Sequence, residues 1–163
     1  MKTLNYHFDY IEYNDIHDLD TENKTLFKYA QAAFDKSYSP YSNFKVGVAT
    51  LLANQQIISG SNQENASYPV GICAERVILS SASVQFPHIP IVKMAITYFN
   101  IHGENNYPIS PCGICRQSLV EHEQFFKSPI IILLGGITGK VWEIARATYL
   151  LPFGFTKEDL IKK

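Results

Sequence analysis

The sequence predicts an α/β fold: a mixed β-sheet covered by helices on both faces. Three observations lead there. Segments with helical apolar spacing alternate with β-rich runs in the order α-β-β-α-β-α-β-β-α, which favours helices packed on a sheet and a sheet that is mixed rather than purely parallel. The 163 residues are 46% hydrophobic and 18% charged, enough apolar side chain for one core. No repeat of 20 to 50 residues and no low-complexity linker divides the chain, so a single domain over residues 1–163 is expected.

Taken in order, the first 20 or so residues interleave acidic and aromatic side chains (Tyr6, Phe8, Asp9, Tyr10, Glu12, Tyr13, Asp15) without periodicity. Residues 1–20 are therefore expected to form an N-terminal arm lying on the surface or on a neighbouring subunit. From Leu26 the apolar positions Tyr29, Ala30, Ala33 and Phe34 keep to one helical face, and Ser39-Pro40 stops the helix. Lys45 to Ala53 and Gln56 to Gly60 read as strands joined by a two-residue turn, Asn54-Gln55, without the favoured glycine. Cys73 to Gln85 places Ala74, Val77, Ile78, Ser81 and Ala82 on one helical side, ends before Pro87 and leads into a strand, Ile91 to Phe99. A polar loop, Asn100 to Ser110, precedes a second helix-strand unit. There Ile114, Cys115, Ser118, Leu119, His122, Phe125 and Phe126 keep helical spacing before the β-rich run Pro129 to Leu134. Glycines 135, 136 and 139 bracket a turn before Lys140 to Ala145, and Thr156-x-x-Asp159 is a capping pattern for a short last helix.

Composition narrows the function. Fourteen Lys and Arg against fifteen Asp and Glu give a net charge of −1, which supplies no electrostatic footprint for a nucleic-acid polymer. The longest strongly apolar run, Ile130 to Leu134, is far short of the roughly 20 residues that span a bilayer. The start of the chain also lacks a basic region followed by an apolar stretch, so neither membrane nor secretion is indicated. Three cysteines cannot all pair within one molecule, and Cys112-x-x-Cys115 has the spacing of metal or redox chemistry. Both features suit a reducing compartment, the cytoplasm.

The cysteines stand at helix starts: Cys73-Ala-Glu75-Arg76 opens one helix and Pro111-Cys112-Gly-Ile-Cys115 the other. Unpaired N–H groups and the positive end of the helix dipole favour thiolate there, poised for a soft cation. Three thiolates aimed at one point suit Zn²⁺ with the fourth position left for water. Glu75 would point about 200° away from Cys73 in mid-helix, so the two can share a site only if the metal lies off the helix N-terminus. In that arrangement Glu75 reaches the water rather than the metal, the position of a proton shuttle. Arg76, three residues after Cys73, is placed to hydrogen-bond the sulfurs and drain the excess negative charge of three thiolates around Zn²⁺.

At these residues the chain resembles the homotetrameric, zinc-dependent cytidine deaminases. The resemblance runs from about Thr25 to Leu160 through five blocks in the expected order: Pro40-Tyr-Ser-Asn-Phe44-Lys-Val-Gly47, Asn62-Gln-Glu64-Asn-Ala66-Ser-Tyr68, Cys73-Ala-Glu75-Arg76, Pro111-Cys-Gly-Ile-Cys115-Arg-Gln117 and Leu150-Leu-Pro-Phe-Gly-Phe155. It implies a three-layer α/β/α sandwich with a mixed five-stranded sheet. It further implies zinc on Cys73, Cys112 and Cys115, and Glu75 as proton shuttle. Phe44 would stack on the pyrimidine, and Asn62 and Glu64 would bind the sugar hydroxyls. Ala66 and Tyr68 match positions at the nucleoside pocket, and Phe155 matches an aromatic that closes a neighbouring subunit's site. The implied activity is hydrolytic deamination of cytidine and 2′-deoxycytidine to uridine and 2′-deoxyuridine with release of ammonia, in pyrimidine salvage.

Other readings of the same residues stand beside this one. Within the superfamily, another small aminohydrolase would act on a modified cytosine nucleoside. Cys112-Gly-Ile-Cys115 alone suits a thioredoxin-like redox pair. A structural zinc would need a fourth ligand from His7, His17, His88, His102 or His122, of which His122 fails, lying about 10 Å along the helix from Cys115. Without the cysteines, Glu75 is an ordinary first-turn glutamate, and Phe44 and Phe155 are core residues.

Overall fold

The computed structural model of the chain describes residues 1–161. Its sheet contains β1 (Tyr10–Tyr13), β2 (Phe44–Leu52), β3 (Ile57–Ser61), β4 (Ile91–Asn100), β5 (Ile131–Gly135) and β6 (Val141–Ile144), in the spatial order β1-β6-β5-β4-β2-β3. Six strands replace the expected five, and the additional one is β1, from the arm. β1 pairs antiparallel with β6, so the arm lies on its own sheet edge. Beyond the ladder, the Tyr13 hydroxyl donates to Glu143, and Glu12 accepts from Lys140 Nζ and from Trp142 Nε1. All these partners are some 130 residues away in sequence, so no local periodicity announces the strand.

The remaining pairings are antiparallel except β4 with β5, which is parallel, so the sheet is mixed. A parallel pair needs a long crossover. Here the connection carries α3 (Gly113–Phe126). The turn between β2 and β3 differs from expectation. Leu52 N–H donates to Gln56 O and Gln55 N–H to Leu52 O, leaving a three-residue loop, Ala53 to Gln55, with Gln55 in the left-handed region at φ 68°. Such loops close with a left-handed third residue, a role Gln takes here in place of glycine.

α1 (Thr21–Ala32) begins before the apolar periodicity does, because Asp20 caps it by accepting from Asn23 N–H at 2.7 Å. α1 lies on one face of the sheet, where Leu26, Phe27 and Ala30 pack with Ala49, Ala95 and Leu133. α2 (Ala74–Gln85) and α3 cover the other face, where Ile78, Ala82 and Leu119 pack with Val48, Met94, Ile96, Ile132 and Leu134. Neighbouring strand residues go to opposite faces, as the period of two requires, and the result is three layers, α/β/α. Gly47 is needed for the first contact, since a Cβ there would meet Ala30 O at 2.0 Å. α4 (Lys157–Ile161) ends the described chain, with Thr156 N–H and Oγ both donating to Asp159. Among the described residues, no helix is long and apolar enough to cross a membrane.

Candidate metal centre and adjoining cleft

Parallel β4 and β5 set the starts of α2 and α3 side by side. Cys73 is the N-cap of α2 and Cys112 the N-cap of α3, with Cys115 in the first turn of α3. Neither cap sulfur bonds its own helix start, so both are free for another partner. The three sulfurs all lie within 4.8 Å of one another. Cys73 and Cys112 are 3.9 Å apart and Cys112 and Cys115 3.4 Å apart. Tetrahedral zinc with Zn–S near 2.3 Å holds its sulfurs about 3.8 Å apart, so the three cysteines present fit that ion. Cys115 is buried while Cys112 is exposed, leaving the trio open on one side.

Hydrogen bonding from the Cys115 thiol holds the Cys73 thiol below its ordinary pKa against the opposing effects of burial and Glu75, and the Arg76 charge acts in the same lowering direction. Arg76 thus acts on the cluster through its field. No hydrogen bond joins Arg76 to a sulfur among the described residues. Burial pushes the Glu75 carboxyl up, opposed by hydrogen bonds from its own backbone N–H and from the Cys115 thiol. Glu75 is 5% exposed and lies in the first turn of α2, two residues after Cys73.

Cys73 also lines a cleft of about 500 Å³ together with Tyr41, Ser42, Asn62, Glu64 and Tyr68. Partial burial pushes the Glu64 carboxyl up, but hydrogen bonds from Ser42 Oγ and from the backbone N–H groups of Tyr41 and Ser42 outweigh it and hold the group below its ordinary value. Asn62 is tied to β2, accepting from Val46 N–H at 2.8 Å and donating to Phe44 O at 2.9 Å. Tyr41 and Tyr68 meet edge-to-face across the cleft mouth, with ring centres 6.0 Å apart. Phe44 opens β2 with its ring stacked on Tyr98, 5.3 Å between centres and 9° between planes.

Three of the expected substrate-binding residues do not line the cleft, the first being Phe44, whose ring is stacked on Tyr98. Ala66 is exposed in the loop beyond Asn65. Phe155 is 59% exposed, and the contact that holds it is Gln117 Nε2 donating to its carbonyl at 2.7 Å. Sequence reasoning gave no role to Ser42, which donates to Glu64 and accepts from Phe44 N–H at 3.0 Å. Its local signal was available, since a serine bonding the backbone two residues on is a common turn device.

Comparison with known proteins agrees with the chemistry of the cluster. The family model described as the zinc-binding region of cytidine and deoxycytidylate deaminases matches residues 20–127. A cytidine deaminase of Halalkalibacterium halodurans is 35% identical over 139 residues, covering 85% of this chain and 98% of the relative. One of Mycoplasma genitalium is 42% identical over 96 residues, 59% of this chain and 69% of the relative. In the crystal structure of cytidine deaminase from Burkholderia pseudomallei, the match has a TM-score of 0.70 at 38% identity, covering 81% of this chain and 98% of that one.

Proposed function

The chain belongs to the cytidine and deoxycytidylate deaminase family, and from that membership we propose that it hydrolyses cytidine and 2′-deoxycytidine to the uridine nucleosides with release of ammonia. The observation that carries this reading is the convergence of three cysteine sulfurs beside the buried Glu75, with one of them, Cys73, also lining a cleft. Zinc is the cofactor, held by Cys73, Cys112 and Cys115, and when bound it supplies a water acidic enough to act as a nucleophile near neutral pH.

Glu75 moves the protons. Its carboxylate takes one proton from the attacking water and delivers it to N3 of the cytosine. It then carries the second from the new C4 hydroxyl to the amino group, which leaves as ammonia, so substrate plus water balances product plus ammonia. A carboxyl enclosed by protein suits this work, because burial brings its proton affinity toward that of the groups it serves. Phe44 stacks on the pyrimidine, and Asn62 and Glu64 meet the sugar hydroxyls, with Ala66 and Tyr68 beside them. Arg76 offsets the charge of the three thiolates.

The assembly we propose is a homotetramer in which Phe155 of one subunit closes the site of a neighbour. Support comes from the exposure of Phe155 and from a groove of about 920 Å³ between α2 and α3, edged by Val84 and Phe125, which are 81% and 73% exposed. Three unpaired cysteines support a reducing compartment, the cytoplasm, and the nucleoside substrates place the enzyme in pyrimidine salvage.

Zinc analysis combined with an ultraviolet assay of cytidine loss tests the reading. One zinc per chain with turnover is the expected result. Zinc without turnover would assign the metal to structure, and activity that depends on a dithiol would assign Cys112 and Cys115 to redox chemistry.

A further inference from the structure

We propose that Ser37 is a positioning residue for the sugar end of the substrate, acting through Asn62. The inference rests on the reading that Asn62 and Glu64 meet the sugar. Segment 37–39 runs beside segment 62–64: Tyr38 N–H donates to Asn62 O, Glu64 N–H donates to Tyr38 O, and Tyr38 bridges Gln63 in parallel. That register sets the Ser37 side chain against the Asn62 amide, with Ser37 Oγ 2.7 Å from Asn62 Oδ1.

The bonding of the amide is nearly complete. A donor, Val46 N–H, faces Oδ1, and an acceptor, Phe44 O, faces Nδ2, so the two ends of the amide are identified by their partners. Oδ1 can only accept, so the single proton of Ser37 goes to it, and the Ser37 oxygen is left to accept from the hydroxyl of buried Ser39, 3.2 Å away. Both lone pairs of Oδ1 and one proton of Nδ2 are thereby used. What remains is one N–H, and Asn62 can offer the substrate a donor and nothing else.

Glu64 is the complement. Held ionised by three hydrogen bonds, it can only accept. A donor-only group beside an acceptor-only group selects a partner that both accepts and donates, which a hydroxyl does and a hydrogen or a phosphate ester does not. Cytidine and 2′-deoxycytidine share the 3′-hydroxyl, so that is the group the pair reads. Ser37 contributes by filling the last lone pair of the amide and stiffening its plane, so that the remaining N–H keeps one direction.

The test compares cytidine with 3′-deoxycytidine in the zinc-loaded wild-type, Ser37→Ala, Ser37→Thr and Asn62→Ala enzymes. For Ser37→Ala, loss of one hydrogen bond should raise KM for cytidine about fivefold with kcat nearly unchanged, and the rise should be absent for 3′-deoxycytidine. Ser37→Thr, which keeps the hydroxyl, should restore the wild-type KM. Asn62→Ala should show the same dependence on the 3′-hydroxyl, more strongly. If Asn62→Ala discriminates between the two substrates while Ser37→Ala penalises both equally or neither, the role of Ser37 is overturned. Should Asn62→Ala itself be indifferent to the 3′-hydroxyl, the assignment of Asn62 to the sugar falls, and the role of Ser37 with it.

Discussion

At the scale of single residues, the proposed place of Glu64 at the sugar sets which substrates fit. Its carboxylate is already held ionised by its loop, so a phosphate on the ribose would bring like charge to a partly desolvated site. The value of kcat/KM for CMP should therefore fall at least tenfold below that for cytidine, and a ratio near one would remove Glu64 from the sugar site. His122 has a consequence for stability. Burial lowers its pKa, with Glu123 pulling weakly the other way, and Nε2 has no hydrogen-bond partner. The fold therefore prefers the neutral ring. Its contribution is intact above the unfolded value of about 6.5 and is lost as the pH falls below it, because the unfolded chain then takes a proton that the folded chain declines. Thermal melting of wild type and His122→Gln between pH 8 and pH 5 should show the wild type losing more stability on acidification, and parallel curves would contradict this. Residues close in sequence announced themselves: Cys73 with Glu75, and Cys112 with Cys115. The bonds of Ser37 to Asn62 and Ser42 to Glu64 cross 25 and 22 residues, and two serines in a polar loop carry no signal of where they will land.

At the scale of elements, a zinc ion held as proposed would tie two helix starts together. α2 and α3 meet at three sulfurs, so metal binding is also folding energy for both. Cys73→Ala should lose zinc and melt several degrees lower together, as elemental analysis and calorimetry would show. Full zinc occupancy with unchanged melting would contradict the three-sulfur site. Both helices were legible because their apolar spacing is local and Pro87 marks the end of the first, whereas the αL cap at Lys127 that ends the second is not advertised by its residue type. β1 was not. Its four residues have no apolar alternation, and its stability comes from the β6 edge and from Glu143, Lys140 and Trp142. The turn after β2 was misjudged by one residue because Gln55 takes a left-handed conformation that its type does not advertise.

At the scale of the whole molecule, the groove between α2 and α3 is the surface that the proposed assembly would cover. Largely exposed phenylalanine and valine at its edges are costly in water, and a second copy of the chain, as proposed, would remove that cost. Analytical ultracentrifugation should find a tetramer, and Phe125→Glu should shift it to smaller species with loss of activity, since each site would lack the aromatic of its neighbour. A fully active monomer would overturn the shared site. The three-layer architecture was legible from the order of elements, and its one error, five strands for six, lies in the segment with the least periodicity.

The proposed proton shuttle, Glu75, is the point on which the account turns, and one variant tests it most directly. In Glu75→Gln the three sulfurs are untouched, so zinc content and the folded state should be retained. Turnover of cytidine, followed by ultraviolet absorbance, should fall by about 10⁴-fold, the upper end for a general acid-base group because one carboxylate serves several transfers. A zinc-loaded Glu75→Gln enzyme that keeps a tenth or more of wild-type activity would contradict the shuttle.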